Sequence, residues 1–164
     1  MVIMTGLIVD LDGTIVDTTA IQHFRDSRRW NDCINNVNKI ILFPEIIETL
    51  LRAKEMGILI AVVTSSVSYY AKTILDCYKI PHDLMVAYHD TSKHKPDPMP
   101  VSHAIEQLHL TPVAVIGIGD SSFDAIAYNR AGIGSFGAGW SKACDTKAPW
   151  TKLLEAPHEI LDYI

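Results

Sequence analysis

The sequence is poor in the features that staple small secreted domains together or carry chains across membranes. It holds only three cysteines, Cys33, Cys77 and Cys144. They are odd in number, widely spaced and form no CxxC pair. That argues against a disulfide framework or a cysteine zinc site, and for three buried or half-buried thiols in a reducing compartment. No run reaches the ~18–20 apolar residues of a membrane span. The first residues, MVIMTGLIVDLDG, lack a basic segment and meet two aspartates early. They read as a core strand rather than a secretion signal, so the expected location is the cytoplasm. Positive charge is in deficit, with 14 Lys and Arg against 19 Asp and Glu, a net charge of −5. This balance disfavours nucleic acid as a partner, because such binders draw affinity from basic patches on phosphates. The seven histidines show no HxxxH or HExxH spacing, and none is assigned to a metal. His94, next to Lys95, is the one placed to line a pocket.

What is present is ordinary globular composition. The chain has 164 residues, 48% hydrophobic and 20% charged, which fits a single domain over residues 1–164. Strand-like and helix-like runs alternate, without repeats or a low-complexity linker. Val2–Val9 reads as a strand buried on both faces, ending in Asp10. A helix is expected over Pro44–Met56, with Ile46, Ile47, Leu50 and Leu51 as its apolar stripe and Gly57 as its stop. Ile58–Val63 is the next strand, running into Thr64, Ser65 and Ser66, and Val67–Cys77 the next helix. A short strand follows at Asp83–Ala87, then a polar loop from His89 to Pro98. Pro98 opens a helix to about Leu108, with Asp97 at the N-cap position. Val113–Ile118 is a strand ending in Gly119-Asp120, Ser122–Arg130 a helix closed by Gly132, and Ile133–Phe136 a fifth strand. The tail, Trp150–Ile164, carries an apolar helical pattern. The pattern predicts an α/β fold: a doubly wound, Rossmann-like parallel sheet with helices on both faces. Asp10, Thr64 and Asp120 all fall at carboxyl ends of strands, where such sheets bind ligands.

Four short segments carry the chemistry. In Asp10-Leu11-Asp12-Gly13-Thr14-Ile15-Val16-Asp17, two carboxylates sit two residues apart at a strand end. Gly13 permits a turn and a close backbone approach. One carboxylate can bind a hard cation and attack phosphorus, while the other handles a proton. A strand-ending turn with solvated acids is the plainer account of that string alone. Thr64, with the backbone N–H groups of Ser65 and Ser66, can hold phosphate oxygens, although such runs are more often loops or caps. Lys95-Pro96-Asp97-Pro98 offers a positive charge fixed beside a proline. Gly119-Asp120-Ser121-Ser122-Phe123-Asp124 adds two more carboxylates.

Together, DLDGTIVDT, Thr64, KPDP and GDSSFD resemble the four motifs of the haloacid dehalogenase-like (HAD) superfamily in its phosphatase form. The resemblance runs from Val2 to about Phe136. It implies that Asp10 is the nucleophile of an aspartyl-phosphate route and that Asp12 is the general acid/base, a residue the dehalogenases proper lack. It implies phosphate binding by Gly13, Thr64, Ser65 and Lys95. The implied cofactor is Mg²⁺, held by Asp10, the backbone carbonyl of Asp12, Asp120 and Asp124, the last through water unless it holds Lys95 instead. The implied partner is a phosphorylated small molecule.

The resemblance departs from the family pattern in one place. Relatives of this type insert a helical cap domain after the first motif, whereas only residues 18–43 are available here, enough for two short helices. Within this short cap insertion, Trp30, Ile34, Val37 and Ile41 recur at helical spacing. They form either a stripe packing on the main domain or a contact to a second protomer, a homodimer that would close an open site. Arg25, Arg28 and Arg29 form the one basic cluster, either a solvated face or a reader of a second anionic group on the substrate. Three activities stay open at this point: phosphomonoester hydrolysis, phosphomutase transfer on a sugar phosphate, and a non-catalytic phosphate-binding module.

Overall fold

β1 (Gly6–Val9) lies in the middle of a six-stranded, all-parallel sheet, in a computed structural model that describes residues 3–164. With β4 (Leu59–Val63), β5 (Leu84–Val86), β6 (Val115–Gly119), β7 (Gly134–Ala138) and β8 (Lys152–Leu154), the order is β5-β4-β1-β6-β7-β8. The chain runs from β1 outward through β4 to β5, then returns to β6 on the other side of β1. That reversal opens a crevice beyond the carboxyl ends of β1, β4 and β6.

The strands are apolar without alternation because both faces of the sheet are covered. Leu7, Val9, Ile60, Val62, Ile116 and Ile118 join one core cluster, and Ile8, Ala61, Val63 and Val115 the other. On the first face lie α3 (Ile46–Glu55), with Ile46, Leu50 and Ala53 one turn apart, and α4 (Ser68–Cys77), with Tyr70, Ala71, Ile74 and Leu75. The second face takes α5 (Met99–Gln107) through Val101, Ala104 and Ile105, and α6 (Ser122–Ala131) through Ala127 and Tyr128. Each valine, leucine or isoleucine so buried contributes roughly 1.5–3 kcal/mol. The expected α/β doubly wound architecture is therefore the observed one.

Between β1 and α3, the chain pinches together. β2 (Val16–Asp17) and β3 (Ile41–Leu42) pair antiparallel, Val16 with Leu42 and Asp17 with Ile41. The segment between them holds two short helices, α1 (Gln22–Asp26) and α2 (Trp30–Asn35), with 3₁₀ turns on either side. Of the expected apolar stripe, Trp30, Ile34 and Val37 pack on the first core cluster around the buried Cys33. Ile41 does not: it turns outward in the ribbon and is 65% exposed.

Several boundaries differ from the sequence reading. The first strand begins at Gly6 rather than Val2, which lies outside the described residues. Inside the polar loop, Tyr88–Asp90 forms a 3₁₀ turn. The helix after it starts at Met99 with Pro98 as N-cap, although Asp97 still accepts from the Met99 N–H at 2.9 Å. The largest correction is the tail. Lys152–Leu154 is a strand that extends the sheet, and only Pro157–Tyr163 is helical, as 3₁₀. Three residues, Lys-Leu-Leu, are too few for a strand period to stand out from a helical one. The cysteines are free, but Cys77 is exposed rather than buried or half-buried. Among the described residues, no helix is long and apolar enough to cross a membrane.

Candidate active site

The carboxyl end of β1 delivers Asp10 into the crevice, and its N–H still continues the sheet by donating to Ile118 O at 3.0 Å. The chain must then turn sharply. Gly13 makes this possible with φ +83°, a conformation that L side chains rarely adopt. A Cβ at that position would also lie 2.5 Å from Asp120 Oδ2. The Gly13 N–H is spent on Val16 O at 2.8 Å, so this residue serves close approach of two loops rather than donation into the cavity.

Lys95 is the centre of one half of the site. It is buried, and its Nζ donates to Asp10 Oδ1 at 2.8 Å, Asp124 Oδ1 at 2.6 Å and Val63 O at 2.9 Å. All three ammonium protons are thus used. Burial by itself would lower the Lys95 pKa, but the charges of Asp10 and Asp124 and their hydrogen bonds outweigh it, and the net direction is upward. The lysine is therefore a fixed cation. Asp124 is positioned by a local device. It sits at the third residue of α6, where Ser121 caps the helix, and its Oδ2 accepts from Ser121 Oγ at 2.9 Å and from the N–H groups of Ser121 and Asp120 at 3.1 and 3.2 Å. Gly119 allows this loop to close, because a Cβ there would lie 2.4 Å from that of Asp124.

Carboxylate oxygens of Asp10, Asp120 and Asp124 can be chosen that all lie within 4.8 Å of one another. Asp120 Oδ1 is steadied by Thr14 Oγ1 at 3.0 Å. Burial, then the Asp124 charge, push the Asp10 carboxyl well above its ordinary value, and the same two causes raise Asp120 to about 6. One ammonium does not offset three carboxylates. This is a hard-oxygen donor set short of positive charge, which suits a divalent cation such as Mg²⁺.

Asp12 belongs to the other half. Its carboxylate is turned away from that cluster and is taken by three donors from three elements. Tyr70 OH donates to Oδ1 at 2.6 Å, Ser66 Oγ to Oδ2 at 2.8 Å, and Arg25 Nη2 pairs with Oδ2 at 3.2 Å. Burial and the Asp12 charge together hold the Tyr70 phenol far above its ordinary pKa, so it stays a proton donor. Arg25 also reaches Thr18 Oγ1 and Gln22 Oε1, while its Nε is buried with no partner. Of the basic cluster, Arg25 alone lines the cavity; Arg29 pairs with Asp32 outside it.

Both halves line one cavity of about 630 Å³, with Thr64, Ser65, Ser66, Phe43 and Phe123. Thr64 Oγ1 accepts from the Ser66 N–H at 3.1 Å, which leaves its own proton for an acceptor in the cavity. Ser65 is exposed there. The sequence reading named Asp10, Asp12, Gly13, Thr64, Ser65, Lys95, Asp120 and Asp124, and all eight border the cavity. It missed Ser66, Tyr70 and Thr14 as partners of the carboxylates, and also Ser141–Ala143, which close the rim. Ser66 and Thr14 sit inside quoted motifs and could have been found. Tyr70 gave no signal apart from its place in an apolar helical stripe. His94 does not line the cavity; it stacks on Tyr88 with ring centroids 3.8 Å apart.

The model of the haloacid dehalogenase-like hydrolases matches residues 21–138. The chain belongs to that family. PpaX of Caldanaerobacter subterraneus subsp. tengcongensis, provisionally described as a pyrophosphatase, is 38% identical over 59% of this chain and 45% of its own length. Its namesake in Clostridium perfringens is 32% identical over 85% of this chain and 72% of its own. A phosphoglycolate phosphatase of Vibrio cholerae is 34% identical over 58% and 43% respectively. The chain thus spans about half the length of most of these relatives. Among solved structures, CbbY from Rhodobacter sphaeroides in complex with phosphate superposes with a TM-score of 0.82 over 96% of each chain at 17% identity. That likeness establishes the fold.

Proposed function

We propose that the chain is a Mg²⁺-dependent phosphohydrolase that cleaves a phosphomonoester of a small molecule through a phosphorylated Asp10. One observation carries the reading: Asp10 is held by a buried lysine beside Asp120 and Asp124, in a cavity that also presents Asp12 and Thr64. The relatives named as phosphatases support the reaction class.

In the first step the free oxygen of Asp10 attacks phosphorus and the ester P–O bond breaks. The departing alkoxide takes a proton from Asp12. In the second, water gives a proton to Asp12 as its oxygen attacks phosphorus, the P–O bond to Asp10 breaks, and inorganic phosphate leaves. Asp12 carries the proton in both directions. The Ser66 hydroxyl can rotate to accept as well as donate, so Asp12 can hold that proton on Oδ2 while Tyr70 goes on donating to Oδ1. Lys95 offsets charge on Asp10 and keeps its carboxylate aimed. Thr64 Oγ1 and the Ser65 backbone face the phosphoryl oxygens. Asp10, Asp120 and the backbone carbonyl of Asp12 would hold Mg²⁺, with Asp124 behind them because both its oxygens already accept hydrogen bonds. When bound, the cation supplies positive charge to the phosphoryl oxygens. Residues 18–43 act as a reduced cap, tied to the chemistry through Arg25.

The test is phosphate release from p-nitrophenyl phosphate, glucose 6-phosphate, 2-phosphoglycolate and inorganic pyrophosphate, with Mg²⁺ and with EDTA. Turnover should require the cation and should vanish in Asp10→Asn while the fold persists. Full Mg²⁺-dependent turnover in that variant would falsify the assignment. Isomerisation of glucose 6-phosphate without phosphate release would favour the mutase reading instead, which uses the same residues.

A further inference from the structure

Three cationic side chains border the cavity: Lys95, Arg25 and Lys142. Two of them are committed. Lys95 gives its three protons to Asp10, Asp124 and Val63 O. Arg25 is held between Asp12, Thr18 and Gln22. Lys142 is exposed and has no ion-pair or hydrogen-bond partner among the described residues. Asp17, across the rim, has its Oδ1 engaged by the Thr19 N–H at 2.9 Å; the Thr19 hydrogen bonds hold its carboxyl below the ordinary value, with a smaller contribution from the Lys142 charge, but the two side chains form no ion pair.

The loop that carries Lys142 is built rather than loose. It leaves β7 at Ala138 and turns tightly, with Ser141 N–H donating to Ala138 O at 2.9 Å and Cys144 N–H to Ser141 O at 3.1 Å. Ser141 is buried, and its Oγ accepts from the Ala143 N–H at 3.2 Å. On one side Trp140 Nε1 donates to Thr14 O at 3.0 Å, which ties the turn to the loop of Asp10 and Asp12. On the other, the Asp145 N–H donates to Asp120 O at 2.7 Å, which ties it to the second acidic loop. Lys142 stands at the apex of a turn anchored to both acidic loops.

We propose that Lys142 is a specificity-determining residue that takes a second anionic group, a carboxylate or a phosphate, on the leaving part of the substrate. The inference rests on the phosphohydrolase reading and deepens it. A substrate with its phosphoryl group at Asp10 enters a cavity bordered by four buried carboxylates. A second negative charge on that molecule needs a cation that is not already spent. Lys142, which attracts Asp17 across the rim but is locked in no ion pair, is the one available, and as an exposed point charge on a flexible stem it can meet either group. Of Arg25, Arg28 and Arg29, the cluster that the sequence offered for this task, only Arg25 lines the cavity, and it is occupied with Asp12.

The experiment compares wild type with Lys142→Ala, Lys142→Glu and Lys142→Arg on p-nitrophenyl phosphate, 2-phosphoglycolate and inorganic pyrophosphate. The quantity read is kcat/KM for each doubly functional substrate relative to p-nitrophenyl phosphate. Loss of one charge-assisted contact should lower that ratio about tenfold in Lys142→Ala, through KM. The ratio should fall further in Lys142→Glu and be largely restored in Lys142→Arg. A fall confined to 2-phosphoglycolate identifies a carboxylate as the second group, and one confined to pyrophosphate a phosphate. A ratio unchanged in both Lys142→Ala and Lys142→Glu overturns the proposal. So does a wild type that hydrolyses p-nitrophenyl phosphate and neither of the others. Failure of the underlying reading looks different: no phosphate is released from any of the three.

Discussion

Asp10 and Asp12 are two residues apart, yet they live under opposite constraints. Asp10 stands in a cluster of acids with one cation, where burial and neighbouring negative charge raise its pKa. Asp12 stands among donors, with two hydroxyls and a guanidinium on its two oxygens. The first half of the site is short of positive charge and the second is saturated with hydrogen bonds. A crevice can therefore keep one carboxylate electrostatically poised for a cation and an electrophile, and another geometrically fixed for proton transfer. Between them lies only Leu11, fully buried in the core.

Replacing Lys95 tests the first half most severely. Lys95→Met leaves Asp10 and Asp124 buried without their cation, which should cost about 3–5 kcal/mol in the metal-free protein. Urea unfolding in EDTA would measure it, and turnover should fall by about three orders of magnitude or more. A loss below 1 kcal/mol would mean that the acids are not charged as described.

A pH series sharpens the same point. The folded Asp120 carboxyl lies at about 6, above its ordinary 3.8. Folding then favours the protonated form, so its contribution is complete below about pH 4 and is lost as pH rises through 6. In EDTA, stability should decline over that window by an amount of order 3 kcal/mol. Added Mg²⁺ should reverse the decline at pH 7 by binding the folded state alone. A flat profile in EDTA would remove the claimed charge imbalance.

On the Asp12 side, Tyr70→Phe removes one donor to a buried carboxylate, at a cost of about 1.5–3 kcal/mol in thermal or urea unfolding. Because Asp12 would lose orientation rather than its carboxyl, kcat should drop with little change in KM. A fall confined to KM would place Tyr70 on the substrate instead. The smallest effect is expected for Arg25→Lys, since the side chain is partly open to solvent and an ammonium keeps the charge. About 1 kcal/mol should be lost, from contacts of a mostly buried guanidinium that one ammonium does not all replace. A larger loss would show that the fork geometry of the guanidinium, not its charge, holds Asp12.

The legibility of the site follows the same division. Asp10, Lys95, Asp120 and Asp124 are marked by strand ends, a proline-flanked turn and a helix cap, all signals written in a few adjacent residues, although the contacts of Lys95 and Asp120 reach across the chain. Ser121 and Asp124 show it best, because an S-x-x-D string is both a cap and an anchor for Lys95. The partners of Asp12 come from positions 54 and 58 residues away and from the segment before α2, and no spacing rule joins them. Trp140 and Asp145 tie a rim loop to both acidic loops through backbone carbonyls, which any sequence offers. β8 was missed because its three residues gain their strand character only by pairing with Phe136–Ala138.

The sequence by itself determined the doubly wound sheet, since strands covered on both faces must be continuously apolar, and it set the acids at their carboxyl ends. It also determined the capped aspartate, whose geometry is local, and marked the lysine beside its proline, although the partners that hold Lys95 lie 29, 32 and 85 residues away. Only the tertiary structure decided that Asp12 faces Tyr70 and Arg25 rather than the acid cluster, and that Lys142 is the cation left free. Those outcomes depend on which side chains meet across the crevice, and such meetings are set by packing between distant elements rather than by neighbours in the chain.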